Sequence, residues 1–316
     1  MRITGTFLDE ISHDIPHQNW SKREWDRDFA YMKNMGIKDV ILIRSGYKRF
    51  ITYPSKVLPQ HENAFTPPVD LVDMFLELSE KHDFNFYFGL YDSGHYWANG
   101  QFEHEVEINR RVIDEVWQWY GKRPAFKGWY LSQEVSRKIG TIINTYAGLG
   151  KYCKEVSNGL PVLISPYIEG PKAVLASENR LQKDDHLTLQ QHAKEWDEIM
   201  AGIKNSVDVV AFQDGHVDFE NLSAFLEVNK QLADKHGLET WTNSESFDRD
   251  MPIKFLPIKW EKLLLKLKAA EKAGYSNAIT FEFSHFMSPQ SAYKQAHHLY
   301  NRYCEYFNID NPFYND

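Results

Sequence analysis

One pattern constrains this chain more than any other. Short runs rich in β-branched and aromatic residues alternate eight times with longer stretches of helical periodicity. The strand-like runs are 3–9 (ITGTFLD), 39–45 (DVILIRS), 85–92 (NFYFGLYD), 126–134 (FKGWYLSQE), 161–168 (PVLISPYI), 207–214 (VDVVAFQD), 239–245 (ETWTNSE) and 277–284 (NAITFEFS). The helical stretches fall at 22–35, 69–82, 103–120, 139–157, 187–203, 219–235, 259–273 and 289–307. Gly36, Gly121 and Gly274 mark helix ends. In the third helix Val106, Ile108, Val112, Ile113, Val116 and Trp117 interleave with charges, as expected of a helix that covers a sheet. The strand interiors carry few charges, which suits a parallel sheet buried on both faces.

Eight such units in 316 residues predict an α/β fold, a single (β/α)8 TIM barrel. The competing doubly wound sheet often has a glycine-rich turn after its first strand, whereas this one ends FLDE with no G-x-G-x-x-G. No internal repeat beyond the β-α unit and no linker interrupts the pattern. The reading is one domain over 1–316, with 308–316 as a C-terminal tail.

Charge and composition exclude several functions. Lys and Arg number 36 against 44 Asp and Glu, a net charge of −8, so a broad basic surface for nucleic acid is not expected. No apolar run approaches the ~20 residues that span a bilayer. The opening MRITGTFLDE has neither a basic n-region nor an apolar h-region. The reading is cytoplasmic if that start is native, and secreted or periplasmic if a leader has been removed. Cys153 and Cys304, far apart, read as buried free thiols rather than a disulfide framework or a thiolate zinc site. Oligomeric state is not legible.

A barrel places its chemistry at the C-terminal ends of its strands. Read in order, those ends give Asp9 and Glu10, Arg44, Tyr91 and Asp92, Gln133 and Glu134, Tyr167 and Glu169, Gln213 and Asp214, Asn243 and Glu245, then Glu282 and His285. So many acids around one mouth repel each other, and one carboxyl can stay protonated while another is ionised. Glycoside hydrolysis needs that combination. The nine Trp, 17 Tyr and 20 Phe fit the same reading. Trp129, Tyr130, Tyr91, Tyr96, Trp97 and Trp241 lie beside carboxylates and amides, although core packing explains any single ring equally well.

Glu134 is the first candidate catalytic residue, because strand alternation puts Gly128, Tyr130 and Ser132 on its face. Glu245 shares a face with Trp241, a sugar platform or a barrel plug, and Asn243. Asp214, followed by Gly215, is a rival for the second carboxylate, and Glu282 a further one. Arg44 can clamp an anionic substituent or hold an acid ionised. Expected substrate contacts are Arg44, Tyr91, Asp92, Trp129, Gln133, Tyr167, Gln213, Trp241, Asn243 and Glu282.

No cofactor is expected. His13 and His17 are separated by Pro16, and no H-x-H or H-E-x-x-H occurs, although His95, His216 and His285 could converge from separate loops. No G-x-S-x-G is present, and phosphate-binding glycines are missing after the last two strands.

A Glu ending strand four and another ending strand seven resembles the clan of retaining (β/α)8 glycoside hydrolases. The resemblance implies Glu134 as acid/base and Glu245 as nucleophile. The clan usually carries Asn just before the acid/base, where this chain has Gln133. The order of TGTFLDE, DVILIRS, GWYLSQE and AFQDGHV is similar to family 4434 of the domains of unknown function, regarded as barrel glycosyl hydrolases. It implies cleavage of an oligo- or polysaccharide without naming the sugar. Two other readings remain: a barrel that binds carbohydrate without cleaving it, and a metal-dependent hydrolase using the loop histidines.

Overall fold

The computed structural model describes residues 1–12, 15–170, 186–249 and 255–314. Eight parallel strands close into a barrel: β1 (Ile3–Leu8), β2 (Asp39–Leu42), β3 (Asn85–Gly89), β4 (Phe126–Leu131), β5 (Val162–Ile164), β6 (Val209–Gln213), β7 (Glu239–Asn243) and β8 (Asn277–Thr280). Each pairs with its sequence neighbours, and β8 closes on β1 through Gly5 with Ile279 and Thr6 with Thr280. The helices that follow them are α1 (Lys22–Met35), α2 (Leu71–His82), α3 (Phe102–Tyr120), α4 (Ile142–Val156), α5 (Leu189–Ile203), α6 (Phe219–His236), α7 (Trp260–Lys272) and α8 (Lys294–Tyr306). The chain is therefore a (β/α)8 barrel.

Local chemistry accounts for several boundaries. Ser21 and Glu24 form a capping box at the start of α1, and Gly36 ends that helix in the left-handed region at φ 98°. Gly121 keeps a helical φ of −62°, so the turn after α3 is tight without a left-handed residue. The stripe read from α3 is borne out: Ile108, Val112, Ile113 and Val116 are buried, with Val106 and Trp117 half-buried at its margin.

Two apolar layers result. Phe7, Ile41, Tyr87, Tyr130, Leu163, Val209, Ala211, Trp241 and Ile279 fill the barrel interior. A larger layer lies between the strands and the helices. Gly128 is required inside: a Cβ there would come within 2.4 Å of the Tyr87 ring. Both cysteines are buried and free. The described part of the tail packs on the barrel's outer layer. Phe313 meets Tyr31 edge to face at 4.6 Å, and the Asn311 amide donates to Asn301.

Two buried carboxyls and one half-buried carboxyl tie the mouth loops to this frame. Glu105 of α3 accepts from Ser93 and Gln133, Asp28 of α1 accepts from Ser284 and Ser288, and Glu10 sits beside His285. Burial pushes each up to about 7. The folded state therefore holds more protons than the unfolded chain between their ordinary values and about 7. Stability should fall as pH rises through that window. Urea unfolding midpoints at pH 5 and pH 8 test this, and Glu105→Gln should flatten the difference. A midpoint that rises with pH across this range would contradict it.

Candidate active site

Glu134 and Glu245 line one cavity of about 120 Å³ at the C-terminal mouth. Arg44, Gln213, Arg249, Ser12, Ile15, Ile43 and the rings of Phe247, Phe255 and Phe281 complete its wall. The two acids sit in different electrostatic surroundings.

Glu134 lies three residues past the end of β4, where the chain leaves the sheet. The Tyr130 hydroxyl, inside the barrel, donates to its Oε1 at 2.7 Å. The Arg44 guanidinium stands 3.8 Å from Oε2. Burial raises the Glu134 pKa, and Arg44, Tyr130 and Gln213 offset this only in part, so it stays above the ordinary carboxylate range.

Glu245 lies two residues past β7, with 2% of its side chain exposed. Arg249 grips it with both arms, Nε to Oε2 at 3.0 Å and Nη2 to Oε1 at 2.9 Å. Burial alone would raise this carboxyl. The Arg249 pair, with Lys266 and His216 nearby, outweighs it and brings the pKa down to about 2. The cavity thus holds two carboxyls whose surroundings shift them in opposite directions.

Asp214 is placed behind Glu245 rather than on the cavity wall. Its Oδ1 accepts from the Glu245 backbone N–H at 3.1 Å and from Lys266 Nζ at 2.7 Å. Lys266 also donates to the Glu245 carbonyl at 3.1 Å, so this buried pair fixes the backbone on both sides of the carboxylate. Gly215 closes the same corner. A Cβ there would lie 1.7 Å from Glu245 Oε2.

The other expected contacts divide into two groups. Arg44 and Gln213 face the cavity, and the Gln213 amide also donates to the Ser165 carbonyl at 2.7 Å. Tyr167 stands close by, its ring edge-on to His216 at 5.3 Å. Asp92 accepts from Trp97 Nε1 at 2.9 Å and acts electrostatically on Arg44 and Glu134.

The remaining ones do not reach the cavity. Trp129 is fully buried between barrel and helices, its indole donating to Ser157. Tyr91 lies in the same outer layer, its hydroxyl on the Lys48 carbonyl. Gln133 turns outward, and its amide donates to Glu105 and to the Tyr91 carbonyl. Trp241 points inward but sits deep, its Nε1 on Glu239 at the far end of β7, so it is a plug rather than a platform. Asn243 is buried between strands, donating to Ser165 at 3.0 Å. Glu282 caps the short helix Phe283–Phe286 and pairs with His285.

The histidines considered for a metal separate likewise. His95 bonds the Ser93 carbonyl, His216 meets Tyr167, and His285 lies between Glu282 and the Pro16 carbonyl. His13 lies outside the described residues. Among the described residues, no group of three or more His, Cys, Asp or Glu could hold a metal ion. No described helix is long and apolar enough to cross a membrane.

Sequence reasoning missed Arg249 and Lys266. Lys266 did leave a signal. It falls on the apolar stripe of α7 formed by Leu263, Leu267 and Ala270, where a lysine needs a buried partner. Arg249 left none, because its reach to Glu245 depends on the loop after β7.

Residues 3–293 match the family model described as "Domain of unknown function (DUF4434)". The chain is 60% identical to a crystallised protein of Bacteroides thetaiotaomicron provisionally named an alpha-L-fucosidase, with a TM-score of 0.93 over 98% of this chain and 94% of that one. The fold is also that of the endo-1,4-beta-D-mannanase of Thermotoga petrophila, at 13% identity and a TM-score of 0.57 over 89% of this chain and 87% of that one. The beta-glucosidase of Thermotoga maritima shares it at 11% identity and 0.52, over 86% and 80%. Among curated proteins, none matches the chain.

Proposed function

The chain belongs to the DUF4434 family, and on that premise we propose that it is a glycoside hydrolase cleaving an oligo- or polysaccharide with retention, Glu134 being the acid/base and Glu245 the nucleophile. The observation that carries this reading is the opposite electrostatic setting of two carboxyls on one small cavity. Similarity to a provisionally named fucosidase supports a glycosidase and puts α-L-fucosides first among substrates to try.

In the first step Glu134 gives its proton to the glycosidic oxygen while a Glu245 oxygen attacks the anomeric carbon, and the bond to the leaving alcohol breaks. In the second, Glu134 takes a proton from water, the water oxygen attacks the same carbon, and Glu245 is released. Both oxygens of Glu245 accept from Arg249, and each keeps a further lone pair for the anomeric carbon. Asp214 and Lys266 act as positioning residues that hold Glu245.

The test is a panel of glycans and aryl glycosides, with released sugar quantified and its first-formed anomer read by NMR. Product of the substrate's configuration supports the proposal. Inversion would replace the nucleophilic step, and binding without released sugar would favour a carbohydrate-binding barrel. The pH profile of kcat/KM should have its alkaline limb set by Glu134, above the ordinary carboxylate range. Gly215→Ala must push the Glu245 carboxylate aside. A misplacement on the order of 1 Å can cost about 10²-fold, so kcat should fall about that much while circular dichroism is unchanged. An unchanged kcat would contradict the packing argument.

A further inference from the structure

A second cavity, of about 630 Å³, opens beside the first. The two meet at Ser12, which lines both. The walls of the larger cavity come from the hairpin Gly46–Tyr47/Phe50–Ile51 and residues 65–68, both outside the eight β-α units, together with the loop after β1 and Leu71 at the start of α2. Phe50 and Phe65 are 62% and 48% exposed, and their ring centroids stand 5.5 Å apart. Neither ring is on a loose loop. The Phe65 backbone N–H donates to the Arg49 carbonyl, and the Arg49 guanidinium lies 4.1 Å over the Phe65 ring. Two large apolar side chains held open to solvent in a concave site mark a place where something binds.

The position of this cavity indicates what enters it. Tyr47, on its wall, lies under the Arg44 guanidinium at 5.3 Å, and Arg44 faces Glu134. Glu245, by contrast, is gripped by Arg249, whose guanidinium lies over Phe247 and Phe255. The larger cavity is therefore linked to the acid through Tyr47 and Arg44. A group departing with the proton from Glu134 leaves toward it. Glu10 lines the cavity, and its Oε1 is buried with no hydrogen-bond partner.

Resting on the glycosidase reading, we infer that this cavity is the leaving-group subsite, and that it takes an aglycone with a flat apolar face and a hydroxyl within reach of Glu10. Phe50 and Phe65, tilted 51° to each other, meet it with one ring face and one ring edge, and Glu10 accepts from the hydroxyl. The small cavity holds the glycosyl ring to be transferred.

The test separates this site from the chemistry. The probe is 4-methylumbelliferone alone, which has a flat ring system and a hydroxyl but no sugar. Its binding is followed by saturation-transfer NMR and fluorescence titration. Wild type should bind saturably, and Phe50→Ser/Phe65→Ser should weaken it about tenfold, the loss expected for two ring contacts. Glu245→Gln should change it by less than about twofold. Both replaced rings are exposed, so the double variant should keep the wild-type melting temperature.

Absence of saturable binding, or equal binding in the double variant, overturns the inference whether or not a substrate has been found. Where turnover is found, the double variant should lower kcat/KM for the 4-methylumbelliferyl glycoside about tenfold and for the matching glycosyl fluoride by less than about twofold. Equal losses on the two would also overturn it. Binding of the probe without turnover of any glycoside contradicts the glycosidase reading and leaves a site for flat aromatic hydroxyl compounds.

Discussion

Glu134→Gln is expected to lower kcat/KM by about 10²–10⁴-fold on substrates with an alcohol leaving group, the usual worth of a positioned acid. The amide keeps the size of the side chain and its bond from Tyr130, so the loss isolates the proton. A glycosyl fluoride, whose leaving group needs little protonation, should suffer far less in the first step. Glu245→Gln differs in kind. It replaces the attacking carboxylate by a neutral, far weaker nucleophile, so turnover should fall on activated and unactivated substrates alike, and by at least as much. It also strips Arg249 of its bidentate partner. Loss of turnover with retained sugar binding in both variants supports the pair. Full activity in either removes that residue from the mechanism.

Lys266→Met is the second large effect, and it acts on stability. Lys266 and Asp214 are both almost fully buried, 2.7 Å apart. Removing the cation leaves Asp214 charged and unpaired beside ionised Glu245, an arrangement that typically costs about 3–5 kcal/mol. Burial and Glu245 already push Asp214 upward, so the variant should bind a proton there on folding and become more stable as pH falls. The double variant Asp214→Leu/Lys266→Met should recover much of the loss, because removing both charges leaves neither stranded. Urea unfolding of the three proteins measures this. A single variant as stable as wild type would mean that the pair does not clamp Glu245. The single variant should also lose kcat through a shifted Glu245 backbone.

The fold was legible because short β-branched and aromatic runs with few internal charges alternate eight times with period-3.6 stretches, the pattern of a parallel sheet covered by helices. Where the runs mislead, backbone chemistry explains it. The run 161–168 forms only Val162–Ile164, because Pro166 donates no hydrogen bond and Tyr167 returns by an isolated bridge to Gln213. The stretch 289–307 becomes helical only from Lys294.

At the mouth, alternation served better than residue type. The rule that groups Tyr130 with Glu134 also sends Trp129 and Gln133 outward, which is where they lie. Trp129 as a sugar ring runs against that rule, whereas Tyr91 shares parity with inward Tyr87 and lies in the outer layer because β3 ends at Gly89. Trp241 and Asn243 do share the inward face of Glu245. Depth along the barrel axis, which separates plug from platform, has no signature in a period of two. Arg249 and Lys266 reach Glu245 across loops and layers. Their contribution to its low pKa is a tertiary fact, with only the misplaced lysine on an apolar stripe to announce it.

The most direct test replaces each carboxylate by a methyl group and offers azide in its place. With an activated glycoside, Glu245→Ala should be rescued by azide, giving a glycosyl azide of inverted configuration, because the anion attacks from the vacated side. Under the same conditions Glu134→Ala should give the azide of retained configuration, formed by attack on the Glu245 adduct. Wild-type rates without azide in either variant, or one anomer from both, would contradict the assignment of two distinct roles to these residues.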